Sequence, residues 1–368
     1  MSSTLNSRPL RYEQFESRLC LAVTAAVASN GDLEVSGDSA GPVEIVALDS
    51  DSYQVTENGA VVASVDGVTR GIRIAFDTAN DKVTLNLSNQ TVDKDVRVEL
   101  GAGDNSFRLI DGTIRGHLIV SAGDGIDTID VQSDVAVAKN AKCELGAGDN
   151  VATFSGSFSG HFTLETGSGI DTVSIDADAS VAKHAKVELG EGNNVFSMAG
   201  EIDRHLFFAS GAGDDTVSIL AQARVARHAK IELGNGNNTF NLEGRIDRDL
   251  QLYAGSGLDT INILNSATIA KDAKLKLGDG DNVVTFEGDV KRSLQIQTGA
   301  GLDTIALAAG AKISKDAKFK LGSGDDSLSH DGMVGRALNV DGGDGMDTYT
   351  ELGGSAKAVK LNSVEVIV

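Results

Sequence analysis

The chain has 368 residues, with 43 glycines, only 2 prolines, no tryptophan and 4% aromatic residues. Many glycines with few prolines point to regular tight turns rather than linker, and few large rings are available to fill a wide interior. The formal net charge of −21 argues against a nucleic-acid binder, which carries a basic footprint, and suits a soluble exterior surface that attracts divalent cations.

At the N-terminus, Arg8, Arg11 and Arg18 precede the apolar run from Leu19 to Ala28, which ends in the small-x-small triplet Ala26-Val27-Ala28. A basic start, a short apolar core and a small-residue cleavage site read as an export segment over residues 1–28. The run is shorter than the roughly 20 residues that span a bilayer, so no transmembrane span is expected. The two cysteines are Cys20, inside this segment, and Cys143, which gives no disulfide framework. The stretch Arg11-Tyr-Glu-Gln-Phe-Glu-Ser-Arg-Leu-Cys-Leu-Ala22 resembles the LEPR-xLL type motif of planctomycete exported proteins, with Phe15 in place of the usual Leu and Cys20 inside the Leu pair. The resemblance implies secretion, or placement at the cell surface or in the periplasm, and implies nothing about activity.

Residues 29–95 read as degenerate capping rungs. Asp77-Thr-Ala-Asn-Asp-Lys-Val-Thr-Leu85 aligns with the later repeats but has lost both glycines, while Asp81 keeps the acidic position. Terminal repeats are commonly atypical because they close a stack.

From residue 96 to 360 the chain is periodic. Segments beginning at Ala141, Ala185, Ala229, Ala273 and Ala317 share the form Ala-Lys-x-(Glu/Lys)-Leu-Gly and are spaced by 44 residues. Each 44-residue unit divides into two related halves, one holding Leu-Gly-x-Gly-x-Asn and the other Gly-x-Gly-x-Asp-Thr. The turn Gly-x-Gly-x-(Asp/Asn) occurs twelve times, first at Gly101 and last at Gly343. Between turns, short runs such as Thr239-Phe-Asn-Leu242 alternate apolar and polar residues, the period of a half-buried strand. Such strands bury their apolar faces by stacking at about 4.8 Å per rung. The expected fold is therefore all-β: a single parallel β-solenoid with rungs of about 22 residues and two or three strands each, coiled right-handed like parallel crossovers generally. Residues 361–368, ending in Val364-Glu-Val-Ile-Val368, read as a C-terminal edge strand that could join a second copy end to end.

The turns resemble half of the hemolysin-type (RTX) calcium repeat, Gly-Gly-x-Gly-x-Asp, and Gly342-Gly-Asp-Gly-Met-Asp347 matches it in full. The resemblance implies calcium as the cofactor. It implies Asp127, Asp171, Asp215, Asp259, Asp303, Asp326 and Asp347 as carboxylate ligands, with turn backbone at Gly123, Gly167, Gly211, Gly255, Gly299, Gly322 and Gly343 facing the cation. The sequence departs from that family where Leu189 and Leu233 replace the leading glycine. It departs again where Asn105, Asn150, Asn194, Asn238 and Asn282 alternate with the acids, which lowers the charge per site and weakens calcium binding. The residues by themselves equally allow a structural polar ladder, because Asn and Asp bond their own turn backbone.

Three further patterns bear on function. Arg115, Lys139, Lys183, Arg204, Arg227, Arg248, Lys271, Arg292, Lys315 and Arg336 follow the repeat and are expected to stack on one edge. Carboxylates at Asp203, Asp247, Asp249, Asp272 and Asp316 lie nearby in sequence to offset them. The column reads as solvated salt bridges or as a stripe for anionic polysaccharide. Thr128, Thr172, Thr216, Thr260, Thr304 and Thr348 recur on alternate rungs only, sparser than the paired threonines an ice-binding face calls for. The six histidines read as scattered repeat positions. No loop interrupts the period from 141 to 360 and no unique catalytic constellation stands out, so an enzyme is not expected. The alternative is a carbohydrate-active β-helix enzyme of the polysaccharide lyase or hydrolase type, or a non-catalytic polysaccharide-binding relative. The leading reading is a secreted or surface structural or adhesive protein whose partners are cell-wall or extracellular polysaccharide or other surface proteins.

Overall fold

In a computed structural model of the protein, which describes residues 23–37 and 39–368, every regular element is a β-strand. The export segment read over 1–28 lies outside the described residues except for 23–28. Within that remnant, Thr24–Val27 pairs antiparallel with Leu33–Ser36.

The repeats build a parallel β-solenoid with three strands per rung. One rung runs through Ala229–Glu232, a glycine turn, Thr239–Leu242 and the short strand Arg245–Ile246 before the next rung opens at Leu250–Tyr253. Strands of the first kind stack in register into a first sheet, as Ala229 on Leu250 and Leu250 on Ala273. Strands of the second kind stack into a second sheet, as Thr239 on Thr260. The short strands form a third, narrow ladder, as Ile246 on Ile269. The 44-residue period is therefore two rungs.

Alternation decides which side chains enter the core. In Ala273–Lys276, Ala273 and Leu275 are buried while Lys274 and Lys276 face outward. The interior is a continuous apolar column. Phe107, Phe196, Phe240, Phe286 and Phe319 are fully buried in it, and Phe154 packs edge to face on Phe158 and Phe162, with centroids of Phe154 and Phe162 4.7 Å apart. Cys143 occupies an inward position, and burial pushes its thiol far above its ordinary pKa. The few large rings that the composition offers are thus concentrated where several strands share one thin core.

The region read as capping rungs departs from simple decay. Leu33–Ser36 and Ile72–Ala75 do stack below Val96–Glu99, and Val43–Ala47 stacks on Lys82–Asn86. Between them, however, Tyr53–Glu57 and Ala60–Val65 form an antiparallel excursion on Val43–Ala47, turned at Asn58-Gly59, both with positive φ. An Asn-Gly pair supplies the left-handed geometry a tight hairpin requires. At the other end, Ser355–Asn362 stacks on Met333–Asp344 and Val366–Ile367 on Thr348–Glu351. This last layer leaves Leu352, Val359, Ile367 and Val368 exposed.

Candidate functional site

The twelve turns stack backbone on backbone. At Gly192, φ is +124° and a Cβ would come within 1.8 Å of the Gly169 carbonyl oxygen. No other residue fits such a position, because it needs both a left-handed φ and contact with the rung beneath. The glycines expected to face a cation, Gly123, Gly167, Gly211, Gly255, Gly299, Gly322 and Gly343, open their turns two residues earlier and form a second column, each against the first glycine of the rung before it.

The Asp/Asn position of each turn points into the solenoid. Asn105, Asp127, Asn150, Asp171, Asn194, Asp215, Asn238, Asp259, Asn282, Asp303, Asp326 and Asp347 are all buried. Their Oδ1 atoms form one ladder. Asp127 Oδ1 accepts from the Asn105 backbone N–H at 3.1 Å, Asn150 Oδ1 from Asp127 N–H at 3.0 Å, and Asp171 Oδ1 from Asn150 N–H at 3.0 Å. The pattern continues to Asp347 Oδ1, which accepts from Asp326 N–H at 2.9 Å. Glu365 Oε2 then accepts from Asp347 N–H and ends the column. Below it, Asp81 joins through its backbone N–H, which donates to Asn105 Oδ1. Each rung thereby satisfies a buried backbone donor of its neighbour.

Asn and Asp differ in what the second side-chain atom does. In the Asn turns, Nδ2 donates to the turn's own carbonyls: Asn150 to Gly146 O and Gly148 O, Asn282 to Gly278 O and Gly280 O. In the Asp turns the corresponding atom is Oδ2, which has no proton to give. Oδ2 of Asp127, Asp171, Asp215, Asp259, Asp303, Asp326 and Asp347 is buried with no hydrogen-bond partner. The hydroxyls of Thr166, Ser210 and Thr298 influence three of these carboxyls, Asp171, Asp215 and Asp303, and lower their pKa values in part without bonding Oδ2. Burial raises the pKa of all seven; Asp259 is pushed up to about 6 and Asp326 to about 7. At Asp326 burial is the largest cause, and the charges of Asp303 and Asp347 on either side raise it further, with no amide to separate three acids. A buried carboxylate oxygen with no donor calls for a proton or a hard cation. The donor set at each Asp turn, one carboxylate and glycine carbonyls, is the oxygen chemistry calcium takes. Among the described residues no group of three or more His, Cys, Asp or Glu side chains converges on one point, so any such site would be mainly backbone.

The outer surface carries the other patterns. The cationic column is real but its register differs from expectation. Arg227 N–H donates to Arg204 O, Arg248 to Arg227, and so on to Arg336 on Lys315, giving cations on eight consecutive rungs from Lys183. Arg115 is not in this column. It lies one residue earlier, is ion-paired with Asp93, and Gly116 holds the equivalent place, above Lys94. The nearby acids divide their roles. Asp272 pairs with Arg292 at 3.4 Å, while Asp247 turns to Arg224 and Arg245. Asp249 faces His228 at 2.9 Å.

The histidines are not scattered. His161, His184, His205 and His228 stack on consecutive rungs beside the cations, with centroid separations of 5.1, 4.8 and 5.0 Å. Their sequence spacing of 23, 21 and 23 residues matches the turn spacing and carried this signal. Desolvation, then neighbouring imidazole and guanidinium groups, hold the pKa values of His184 and His205 below the ordinary value. His330 is inward, on Leu307, and bonds Tyr349 and the Gly332 carbonyl.

The threonine column is fuller than its alternate spacing suggests. Thr239 stands between Thr216 and Thr260, and the remaining places hold Ser or Val. From Val151 and Thr153 to Thr348 and Thr350, the outward positions of ten successive second-sheet strands are Thr, Ser, Val, Asn or Ala, without one charge.

No family model matches the chain, and no curated protein matches it. Among solved structures it is similar to a hyperactive, Ca2+-dependent, β-helical antifreeze protein from an Antarctic bacterium. The identity is 17%, the match covers 77% of this chain and 79% of that chain, and the TM-score is 0.34.

Proposed function

We propose that the protein is an exported, non-enzymatic β-solenoid that acts as a structural or adhesive rod at the cell surface and takes up calcium along its interior turns. The observation that carries the calcium reading is the set of seven buried Oδ2 atoms without a hydrogen bond, each in a turn that lacks the side-chain amide of the Asn turns. A cation there would be held by the Asp carboxylate and the carbonyls of its two turn glycines, and would neutralise a charge the fold otherwise buries at a cost. The export segment and the acidic surface support an exterior location. The unbroken period supports a binding or scaffolding role over catalysis, and the exposed C-terminal layer supports end-to-end contact between copies.

The test is calorimetric titration of the EGTA-treated protein with calcium, paired with thermal melts. Binding heat and a raised melting temperature at millimolar calcium are expected. An unchanged melt and no heat would leave the ladder purely structural and overturn the calcium reading.

A second reading is favoured by the uncharged second-sheet face. Hydroxyls and methyls repeat there every 4.8 Å or so along the rod and roughly 7 Å across it, a regular surface suited to ordered water. Binding of ice through this face predicts thermal hysteresis and altered crystal habit; their absence would dismiss it.

A further inference from the structure

The first sheet changes character along its length. Three repeats carry Ala-Lys-x-Glu, and each pairs internally: Lys142 with Glu144, Lys186 with Glu188 and Lys230 with Glu232, at 2.5, 2.6 and 2.7 Å. The next two carry Ala-Lys-x-Lys. Lys274 and Lys276, then Lys318 and Lys320, all face outward, and none of the ion pairs among the described residues includes them. The rung between presents Gln295 and Gln297 rather than acids. The corner beside this face contributes Lys271, Arg292, Lys315 and Arg336 from the eight-rung column, and of these only Arg292 is ion-paired. Beyond Lys318 a shallow groove of about 530 Å³ runs past Asn339 and Asp341 to Lys360; Asp341, in register with Lys320, is the acid on this side of the face.

We propose that this face, from Lys271 to Arg336, binds an extended anionic polysaccharide. The proposal goes beyond the calcium reading and does not depend on it. In a chain with net charge −21, a cationic face on four consecutive rungs with Arg292 as its one ion-paired member costs self-repulsion that the earlier repeats avoid by using glutamate. That cost marks a surface kept for an anion supplied from outside. The pattern also fits the chemistry. The lysine pairs recur every second rung, about 10 Å apart, which suits a polymer bearing one carboxylate or sulfate per disaccharide. The glutamines between them can bond sugar hydroxyls. Single-stranded nucleic acid fits less well, since the lysine pairs are interleaved with amides rather than with aromatic platforms for bases to stack on.

The experiment uses the full chain on columns of immobilised dextran sulfate, polygalacturonate and neutral dextran, with duplex DNA as a competitor. The variant Lys276→Glu/Lys320→Glu gives both repeats the Ala-Lys-x-Glu form that three others already fold with. Retention on the acidic columns, release by salt, and affinity at least about tenfold weaker in the variant are expected. A control with the same charge change elsewhere, Lys82→Glu/Lys139→Glu, on rungs well before Lys271, should be retained like the parent. Calcium titration of each variant keeps the two readings separate, since loss of polysaccharide binding should leave calcium heats unchanged. No retention of the parent, equal weakening in the control, preferential binding of DNA, or retention that depends on protein self-association would each overturn the proposal.

Discussion

Asp171 takes both hydrogen bonds that Asn150 can send to the rung above. Its Oδ1 accepts the Asn150 backbone N–H at 3.0 Å and Asn150 Nδ2 at 2.9 Å. The same double contact joins Asn282 to Asp303. An amide thus gives the acid above it a second donor within the buried column. Asn150→Asp would remove that donor and place three carboxylates on successive rungs, as at Asp303, Asp326 and Asp347. Without calcium at neutral pH, a loss of about 2–3 kcal/mol is expected, the scale of a buried polar group left unsatisfied. Urea unfolding in EGTA measures it.

The converse substitution should stabilise. Asp259→Asn supplies an amide where Oδ2 is unpartnered. The shift of Asp259 from 3.8 to about 6 corresponds to about 3 kcal/mol of burial cost at neutral pH. The variant should melt higher than the parent in EGTA, and its advantage should shrink or reverse in saturating calcium. An unchanged difference between the two conditions would detach calcium from this turn.

Stability without calcium should fall as pH rises. The Asp ladder has folded pKa values above the unfolded value of 3.8, so the folded state binds more protons between the two. Its contribution is largest below the unfolded value and is lost as pH passes about 6 for Asp259 and about 7 for Asp326. Melts in EGTA should rise from pH 7.5 to pH 5, and calcium should flatten that slope.

The histidine stack works in the opposite direction. His184 and His205 have folded pKa values below 6.5, so their contribution is fully present above the unfolded value and is lost as pH falls through the lowered ones. Asn140 occupies the same column, where its Oδ1 accepts the His161 backbone N–H, which makes His184→Asn/His205→Asn a compatible pair. The variant should lose less stability than the parent on acidification. NMR titration of the parent should place both imidazoles below the ordinary value.

Gly192→Ala should be among the most damaging single changes. It forces a side chain into a left-handed φ and against the Gly169 backbone. A loss of several kcal/mol, on the scale of overpacking plus strain, should show as local opening of rungs near 192 in hydrogen exchange, since solenoid rungs depend on their neighbours.

Much of this was legible in the sequence because two simple periods carry it. The two-residue alternation in Thr239-Phe-Asn-Leu242 places Phe240 and Leu242 inside, and the turn spacing fixes which residues stack. The inward ladder from Asn105 to Asp347 follows directly. What was not legible depends on a rung's path between its turns. The third strand of each rung, Gly112–Ile114 and its equivalents, is two or three residues long between the two larger sheets, too short to announce itself in sequence. Arg115, by contrast, is out of the cation column by spacing alone, 24 residues from Lys139 where Ile114 and Val137 are 23 apart. The hairpin through Asn58-Gly59 is readable from that dipeptide, although it interrupts a region whose other strands follow the repeat. The histidine stack is readable from its spacing of 23, 21 and 23 residues, which is that of the turns. The contrast between Asn Nδ2 and Asp Oδ2 needed coordinates, because sequence shows which residue is present but not which of its atoms faces the turn carbonyls.

The alternation of amide and acid along the interior also constrains how a rod like this can change length. Gaining or losing a single rung would keep every strand on its sheet yet set like on like at the join: acid on acid, or amide on amide. Gaining or losing a pair leaves the order intact. The molecule is thus extendable in increments of 44 residues, about 10 Å each. Its reach can be adjusted by copying one genetic segment, with no new packing problem to solve at either seam.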